Sequence, residues 1–260
     1  MLKIGLVILV LGIVGAIAFF GYNSSKSKIE TTNPSLVNRD SEVASAPQND
    51  KEESQNEDEP PLKLKSIGVD FSDFKFTKAK LQFNRIFMGY GFVIPGNETT
   101  IGRDKSNPQP TFILPLGTPV RSLVDGIVAA TPTVWSGDYS IQVTKSGQLE
   151  RWVYETEHVI NPLVKVGDKV KAGQIIAEVS DFDKGAPSGF GAFEIGILHG
   201  GEEGPPEHVC PFAYLDDSIK EETFKKMREF FKSWEDYTGD QTLYEDTSTP
   251  GCLTLNSIEG

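Results

Sequence analysis

Residues 158–195, HVINPLVKVGDKVKAGQIIAEVSDFDKGAPSGFGAFEI, decide how this chain folds. Val164, Val166, Val170, Ile175, Ile176 and Val179 are β-branched, which restricts χ1 and suits them to a pleated, half-buried surface. Gly167-Asp168 and Ala172-Gly173 supply turn residues between them, so the stretch predicts short strands that fold back on each other as a β-hairpin.

The same grammar extends upstream. Segments 81–87 and 92–94, split by Gly89, Gly91 and Pro95-Gly96, are expected to be strands. Residues 99–110, TTIGRDKSNPQP, form a polar loop leading into a strand at 111–114, with further strands at 120–124, 126–130, 139–143 and 151–156. Many short strands with regular turns predict a mainly β fold, a compact antiparallel sandwich or barrel-like core.

Downstream the periodicity changes. Ser218-Ile219-Lys220-Glu221 is a capping-box signature, and Phe224, Met227, Phe231 and Trp234 recur at helical spacing with Phe230 beside them. One amphipathic helix is expected, ending before Gly239, with its apolar stripe packed on the β domain. Cys210 and Cys252 are the only cysteines, and in a chain routed outside the cytoplasm they suggest one disulfide.

The N-terminal part has a different composition. Residues 4–22 are an uninterrupted apolar run without a charge, at about 1.5 Å per residue just long enough to cross a bilayer core. A signal anchor is the expectation. A cleaved signal peptide is the alternative, with Ala16-Ile17-Ala18 as the cleavage site and a secreted product. Lys3 favours a cytoplasmic N-terminus and hence an extracytoplasmic C-terminal domain in a single-pass membrane protein, although Lys26 and Lys28 lie on the other flank. Residues 23–62 hold too few large apolar side chains to offset chain entropy and are expected to be a disordered acidic linker. The expected organisation is therefore an anchor at 1–22, a linker at 23–62, a β domain at 63–205 and a disulfide-clamped helical extension at 206–260.

Net charge is −12, but it is unevenly placed. Residues 30–60 carry nine acids and two bases, and residues 199–260 fourteen acids and five bases, so the excess sits outside the β domain. An acidic tether and an acidic tail argue against nucleic acid as a partner and favour solubility as the explanation of the charge. Asn97-Glu98-Thr99 is a glycosylation sequon, giving Asn97 as a candidate site if the chain leaves the cytoplasm.

Gly117-Thr118-Pro119-Val120, Asp125-Gly126-Ile127-Val128, Gly137-Asp138-Tyr139-Ser140-Ile141, Tyr154, His158, the valine-glycine stretch at 164–176 and Phe193-Glu194 occur in this order. The set resembles the ordered motifs of the M23 (lysostaphin or LytM type) peptidase family over residues 107–195. The resemblance implies an antiparallel core built as a duplicated hybrid motif, with a groove that in the family works on cell-wall peptides outside the cytoplasm. It also implies where zinc would be held: by His and Asp of a His-x-x-x-Asp motif and by the second His of a His-x-His motif. Counting from Gly117 puts Asn107 and Thr111 at the first pair, and counting from Phe193-Glu194 puts Phe190 and Ala192 at the second. Thr111 and Ala192 cannot replace a carboxylate and an imidazole, and a catalytic zinc needs about three protein ligands. No zinc, no other cofactor and no hydrolysis are expected there.

What remains is a groove with His158, Phe190, Glu194 and Tyr154 as its candidate binding residues. A lone His at a strand end is more often a hydrogen-bonded structural residue, and Phe190 and Trp135 are more often packing residues than ligand platforms. His199 and His208 flank the acidic run at 200–207, with Glu202, Glu203 and Glu207; their spacing fits no zinc template, and a solvated loop is expected. Asp183-Lys184 follows the valine-glycine stretch where lipoyl or biotinyl domains carry their modified lysine, but the spacing from Gly126 to Gly167 is too long for those domains.

The expected function is a membrane-tethered, extracytoplasmic, non-catalytic module that binds or regulates cell-envelope components. Degenerate members of the family serve as activators or scaffolds of envelope enzymes, so the resemblance implies an envelope peptide, glycan or protein as partner. The alternatives are an M23-type zinc metallopeptidase using atypical ligands such as Asp104, His158 or His208, and a structural envelope adaptor.

Overall fold

The computed structural model of the chain describes residues 59–96, 101–182, 186–200 and 205–260. The chain divides into residues 1–52 and residues 53–260, and all of the first unit lies outside the described residues. The expected anchor, nearly all of the expected linker, Asn97, Asp183, Lys184, Glu202 and Glu203 lie outside them as well.

Among the described residues the architecture is mainly antiparallel β with one helix near the C-terminus. The strands are β1 (Phe87–Met88), β2 (Val93–Ile94), β3 (Lys105–Ser106), β4 (Thr111–Pro115), β5 (Pro119–Arg121), β6 (Gly126–Ala130), β7 (Tyr139–Thr144), β8 (Trp152–Ile160), β9 (Lys169–Val170), β10 (Ile175–Val179), β11 (Phe190–His199), β12 (Glu207–Val209) and β13 (Ile258–Glu259). The helix, α1, spans Asp217–Thr238. The main sheet runs β1-β4-β11-β8-β7-β6-β9, while β2 and β3 form a separate ribbon. Strand β8 also pairs through its end with β10, which in turn pairs with β5, so the sheet folds over into a second layer.

The expected hairpin within residues 164–179 does not form. β9 pairs with β6, and β10 pairs with β5 and β8, so the two strands diverge to different neighbours. The turns are where the glycines put them, because Gly167 and Gly173 adopt φ of 90° and 80°, which a residue with a Cβ rarely reaches. Local pattern located the strands and turns; only long-range pairing chose the partners.

A second correction concerns residues 81–87. Gln82–Asn84 form a 3-10 turn, with Phe83 and Asn84 at φ of 53° and 55°, and only Phe87–Met88 is strand. The positive-φ pair at Phe83 and Asn84 turns the chain before a ladder can extend through it, and the Asn84 carbonyl is taken by α1, accepting from the Trp234 indole N–H at 2.9 Å.

Helix α1 forms over the expected stretch, but Asp216 caps it, accepting from the Ser218 backbone N–H at 3.0 Å. Gly239 closes it in the left-handed conformation at φ 79°. Its buried stripe, Phe224, Met227, Phe230, Phe231 and Trp234, packs on an aromatic cluster from the chain ahead of the main strands. Phe230 lies 4.3 Å from Phe74 and Phe231 5.2 Å from Phe87, centroid to centroid. The Cys210–Cys252 disulfide, with Cα atoms 5.9 Å apart, ties the extension together. Behind it Gly251 permits a close approach that no other residue would, since a Cβ there would stand 2.6 Å from the Phe212 ring.

Candidate functional site

The expected groove corresponds to the face of the main sheet where β4, β11, β8 and β7 lie side by side. Register brings Thr111 opposite Glu194, Glu194 opposite Glu157, and Glu157 opposite Ser140. Period-2 alternation also places Glu155 on this face, beside Gln142 of β7. The other face of β8 is core: Tyr154 is 2% exposed and its hydroxyl donates to the Leu62 carbonyl at 2.7 Å. Tyr154, expected as a groove residue, is thus turned away from the groove by strand parity.

His158 breaks that parity. Its φ of 60° lies in the left-handed region, and the β7–β8 register slips at this point. Such a bulge re-aims a side chain at some cost in backbone strain. The imidazole is buried, stacked on Phe182 with centroids 3.3 Å apart, and Trp135 meets its edge at 5.9 Å. Trp135 itself is 83% exposed, so it stands up beside the groove instead of packing into the core.

His158 Nδ1 lies 3.2 Å from both Asp138 carboxylate oxygens and 3.1 Å from the Ser136 hydroxyl. Asp138 also accepts from the hydroxyls of Ser136 and Ser180. Burial pushes the Asp138 carboxyl up, but the Ser136 and Ser180 hydrogen bonds and the adjacent His158 outweigh it and hold the group below its ordinary range. Burial depresses His158, with Asp138 opposing. Serine and aspartate address the same ring nitrogen, while Nε2 faces Glu157 at 4.0 Å. A nucleophile-activating relay needs its two partners on opposite nitrogens, so this set holds an imidazole in place and activates no serine.

At the four positions where the resemblance expects zinc ligands stand Asn107, Thr111, Phe190 and Ala192. Asn107 is buried and its amide donates to the Gly89 carbonyl at 3.3 Å and to the Thr111 hydroxyl at 3.3 Å. Thr111 donates to Glu194 at 2.9 Å. Ala192 is 1% exposed, paired with Ile113 and bridged to Ser180. Phe190 opens β11 opposite Pro115, half-buried. An amide, a hydroxyl and a methyl group, the polar ones already hydrogen-bonded to protein, do not fit a zinc ion. Among the described residues no group of three or more His, Cys, Asp or Glu side chains is arranged to hold a metal ion.

In their place stand three carboxyls. Glu155 accepts from the Ser140 hydroxyl, from Gln142 at 2.9 Å and from Gln109 at 3.1 Å. Burial raises its pKa against those bonds. Burial also pushes Glu157 up to about 8, with repulsion from Glu155 and Glu194 adding to it, and Glu194 up to about 7 against the Thr111 hydrogen bond and Lys105. Near neutral pH these strands therefore carry protonated carboxyls that can donate as well as accept. Glu155 and Glu157 escaped the sequence reading. Their alternation with Tyr154 and Thr156 was the available signal, since two acids at i and i+2 in an otherwise apolar strand mark one polar face.

The remaining histidines are not in a solvated loop. His199 ends β11 and stacks on Trp152 at 4.2 Å, and His208 in β12 is 5% exposed opposite Leu198. Burial pulls His208 down to about 4. Glu207 pairs with Glu259 and His199 across strands, and Asp104 accepts from the Gly96 backbone N–H at 2.9 Å. Among the described residues neither Asp104 nor His208 belongs to a metal-holding group.

No family model and no curated protein matches the chain. Solved structures do. A zinc-containing peptidase from Vibrio cholerae is 22% identical, matching 53% of this chain at a TM-score of 0.38; the match spans only 37% of that protein. The catalytic domain of the prophage-encoded M23 protein EnpA from Enterococcus faecalis is 24% identical over 53% of this chain and 93% of its own, with a TM-score of 0.34. The catalytic domain of lysostaphin from Staphylococcus simulans is 22% identical over 44% and 80%, with a TM-score of 0.34. The structural neighbours of this chain are thus M23 and lysostaphin-type peptidase domains, and no zinc-binding group is present among its described residues.

Proposed function

We propose that this chain is a membrane-tethered, extracytoplasmic, non-catalytic M23-like module that binds or regulates cell-envelope components through its groove. The observation that carries the reading is chemical. The positions that would bind zinc hold Asn107, Thr111 and Ala192, and the two polar ones spend their hydrogen bonds on the protein itself. A groove of protonatable carboxyls with an exposed Trp135 at one end offers hydrogen bonds and an apolar surface, which suits recognition of a peptide or glycan. Tethering rests on the apolar run at residues 4–22. Among the described residues no helix is long and apolar enough to cross a membrane.

Metal analysis and a peptidase assay on the purified full-length chain test this. The expected outcome is no stoichiometric zinc and no cleavage of envelope peptides that a chelator suppresses. Stoichiometric zinc together with chelator-sensitive cleavage would defeat the proposal. In a pull-down from envelope fractions, Trp135→Ala should lose most of the retained material, whereas His158→Ala should lose activity only if the chain is an enzyme.

A further inference from the structure

Away from the groove, a cavity of about 350 Å³ opens between residues 85–93, α1 and residues 243–253. Phe87, Phe231 and Leu243 form its buried apolar wall, with Phe92 and Leu253 nearer the rim. Arg85 reaches into this wall half-buried. Its guanidinium carbon lies 4.7 Å from the Phe92 ring centroid and 5.1 Å from that of Tyr244, held between the two faces. Among the described residues the guanidinium makes no hydrogen bond and no ion pair, so its forked donors remain unspent. The Tyr244 ring lines the same cavity, and its buried hydroxyl lies against the Ile86 and Phe87 backbone. Half-buried at the edge of an apolar cavity, the Arg85 fork can take an acceptor that the apolar wall shields from water.

The surrounding charges decide what kind of ligand. Burial lowers the Arg85 pKa, and Tyr244, Glu245, Asp240 and Glu235 act against that. Glu235 is occupied by the Tyr244 backbone N–H at 3.0 Å, and Asp240 by Thr242 at 3.0 Å and 2.7 Å. Glu245 lines the cavity, is exposed and pairs with no described residue. A simple anion drawn to Arg85 would meet the field of these three acids. A ligand carrying both signs would not.

We infer that the cavity binds a free α-amino acid with an apolar side chain, its carboxylate on the Arg85 fork, its ammonium toward Glu245 and its side chain against Phe87, Phe92 and Leu243. The volume sits at the small end of ligand pockets, which suits a single amino acid. This inference is independent of the groove and stands or falls separately from it.

Calorimetric titration of the full-length chain with L-phenylalanine and L-leucine tests it. Saturable binding of one ligand per chain is expected. Phenylalanine amide, which lacks the carboxylate, and 3-phenylpropanoate, which lacks the ammonium, should each bind at least about tenfold more weakly. Arg85→Lys keeps the charge but loses the fork and should also lose about tenfold, with an unchanged near-ultraviolet circular dichroism spectrum showing that the fold is intact. Glu245→Gln, at an exposed position, should weaken the amino acids and strengthen 3-phenylpropanoate, whose lone carboxylate no longer meets that acid. The inference is overturned if neither amino acid saturates by about 10 mM, if the amide binds as well as the free acid, or if Arg85→Lys binds as tightly as the unaltered chain.

Discussion

Glu157 shows how one residue can set the pH response of the whole domain. Its carboxyl is pushed up to about 8 by burial and by Glu155 and Glu194, and Glu194 itself up to about 7. Both values lie above those of an unfolded chain, so the native state binds the extra protons. The stability they contribute is fully present below about pH 4.3 and is lost as pH rises through 7 to 8. His208 works in the other sense. Held near 4 by burial, it contributes stability that is present above about pH 6.5 and is lost as pH falls toward 4. Thermal melts are therefore expected to peak in slightly acid solution, near pH 5 to 6.5, and to fall on either side. Glu157→Gln removes one charge that the wild type must accommodate at high pH. The variant should be more stable than wild type at pH 8.5 by about 1–2 kcal/mol, with the difference gone near pH 5. A variant that melts identically to wild type at pH 8.5 would show that Glu157 ionises without cost.

Among the elements, α1 was the most legible and its partner the least. Phe224, Met227, Phe231 and Trp234 announce a helix by spacing alone, yet the aromatic cluster it covers comes from Phe71, Phe74, Phe76 and Phe87. No periodicity links these two stretches, because their contact is made by tertiary packing. Trp234 is 1% exposed, packs on Phe76 at 5.2 Å and donates to the Asn84 carbonyl. Trp234→Ala should cost about 3–5 kcal/mol in urea unfolding, combining a cavity with an orphaned carbonyl. Lys232→Ala, on the exposed face of the same helix, should leave the unfolding midpoint nearly unchanged. Equal losses from both substitutions would mean that α1 is not docked as described.

For the whole molecule, the Cys210–Cys252 bridge closes a loop of sequence separation 42 that contains all of α1. Chain-entropy reasoning gives such a crosslink about 3–4 kcal/mol, less where the reduced chain keeps structure. Removing both thiols by Cys210→Ser with Cys252→Ser is expected to lower stability by about that amount. Because Tyr90 donates its backbone N–H to Gly251 and its hydroxyl to His208 and Asn256, the loss should spread to β12 and β13 and appear there in hydrogen exchange. Faster exchange confined to residues 240–256 would contradict this coupling.

The mainly β class, the extent of the helix, the disulfide pair and the turns at Gly167 and Gly173 are legible in the order of residues alone. These are properties of spacing, backbone freedom and side-chain type, and all are local. Tertiary structure alone decided that β9 and β10 take different partners, that Tyr154 faces the core while Glu155 and Glu157 face the groove, and that a left-handed kink at His158 turns its ring toward Asp138. Each of those depends on a register or a bulge fixed between strands far apart in the chain, and a one-residue slip would send every side chain to the opposite face.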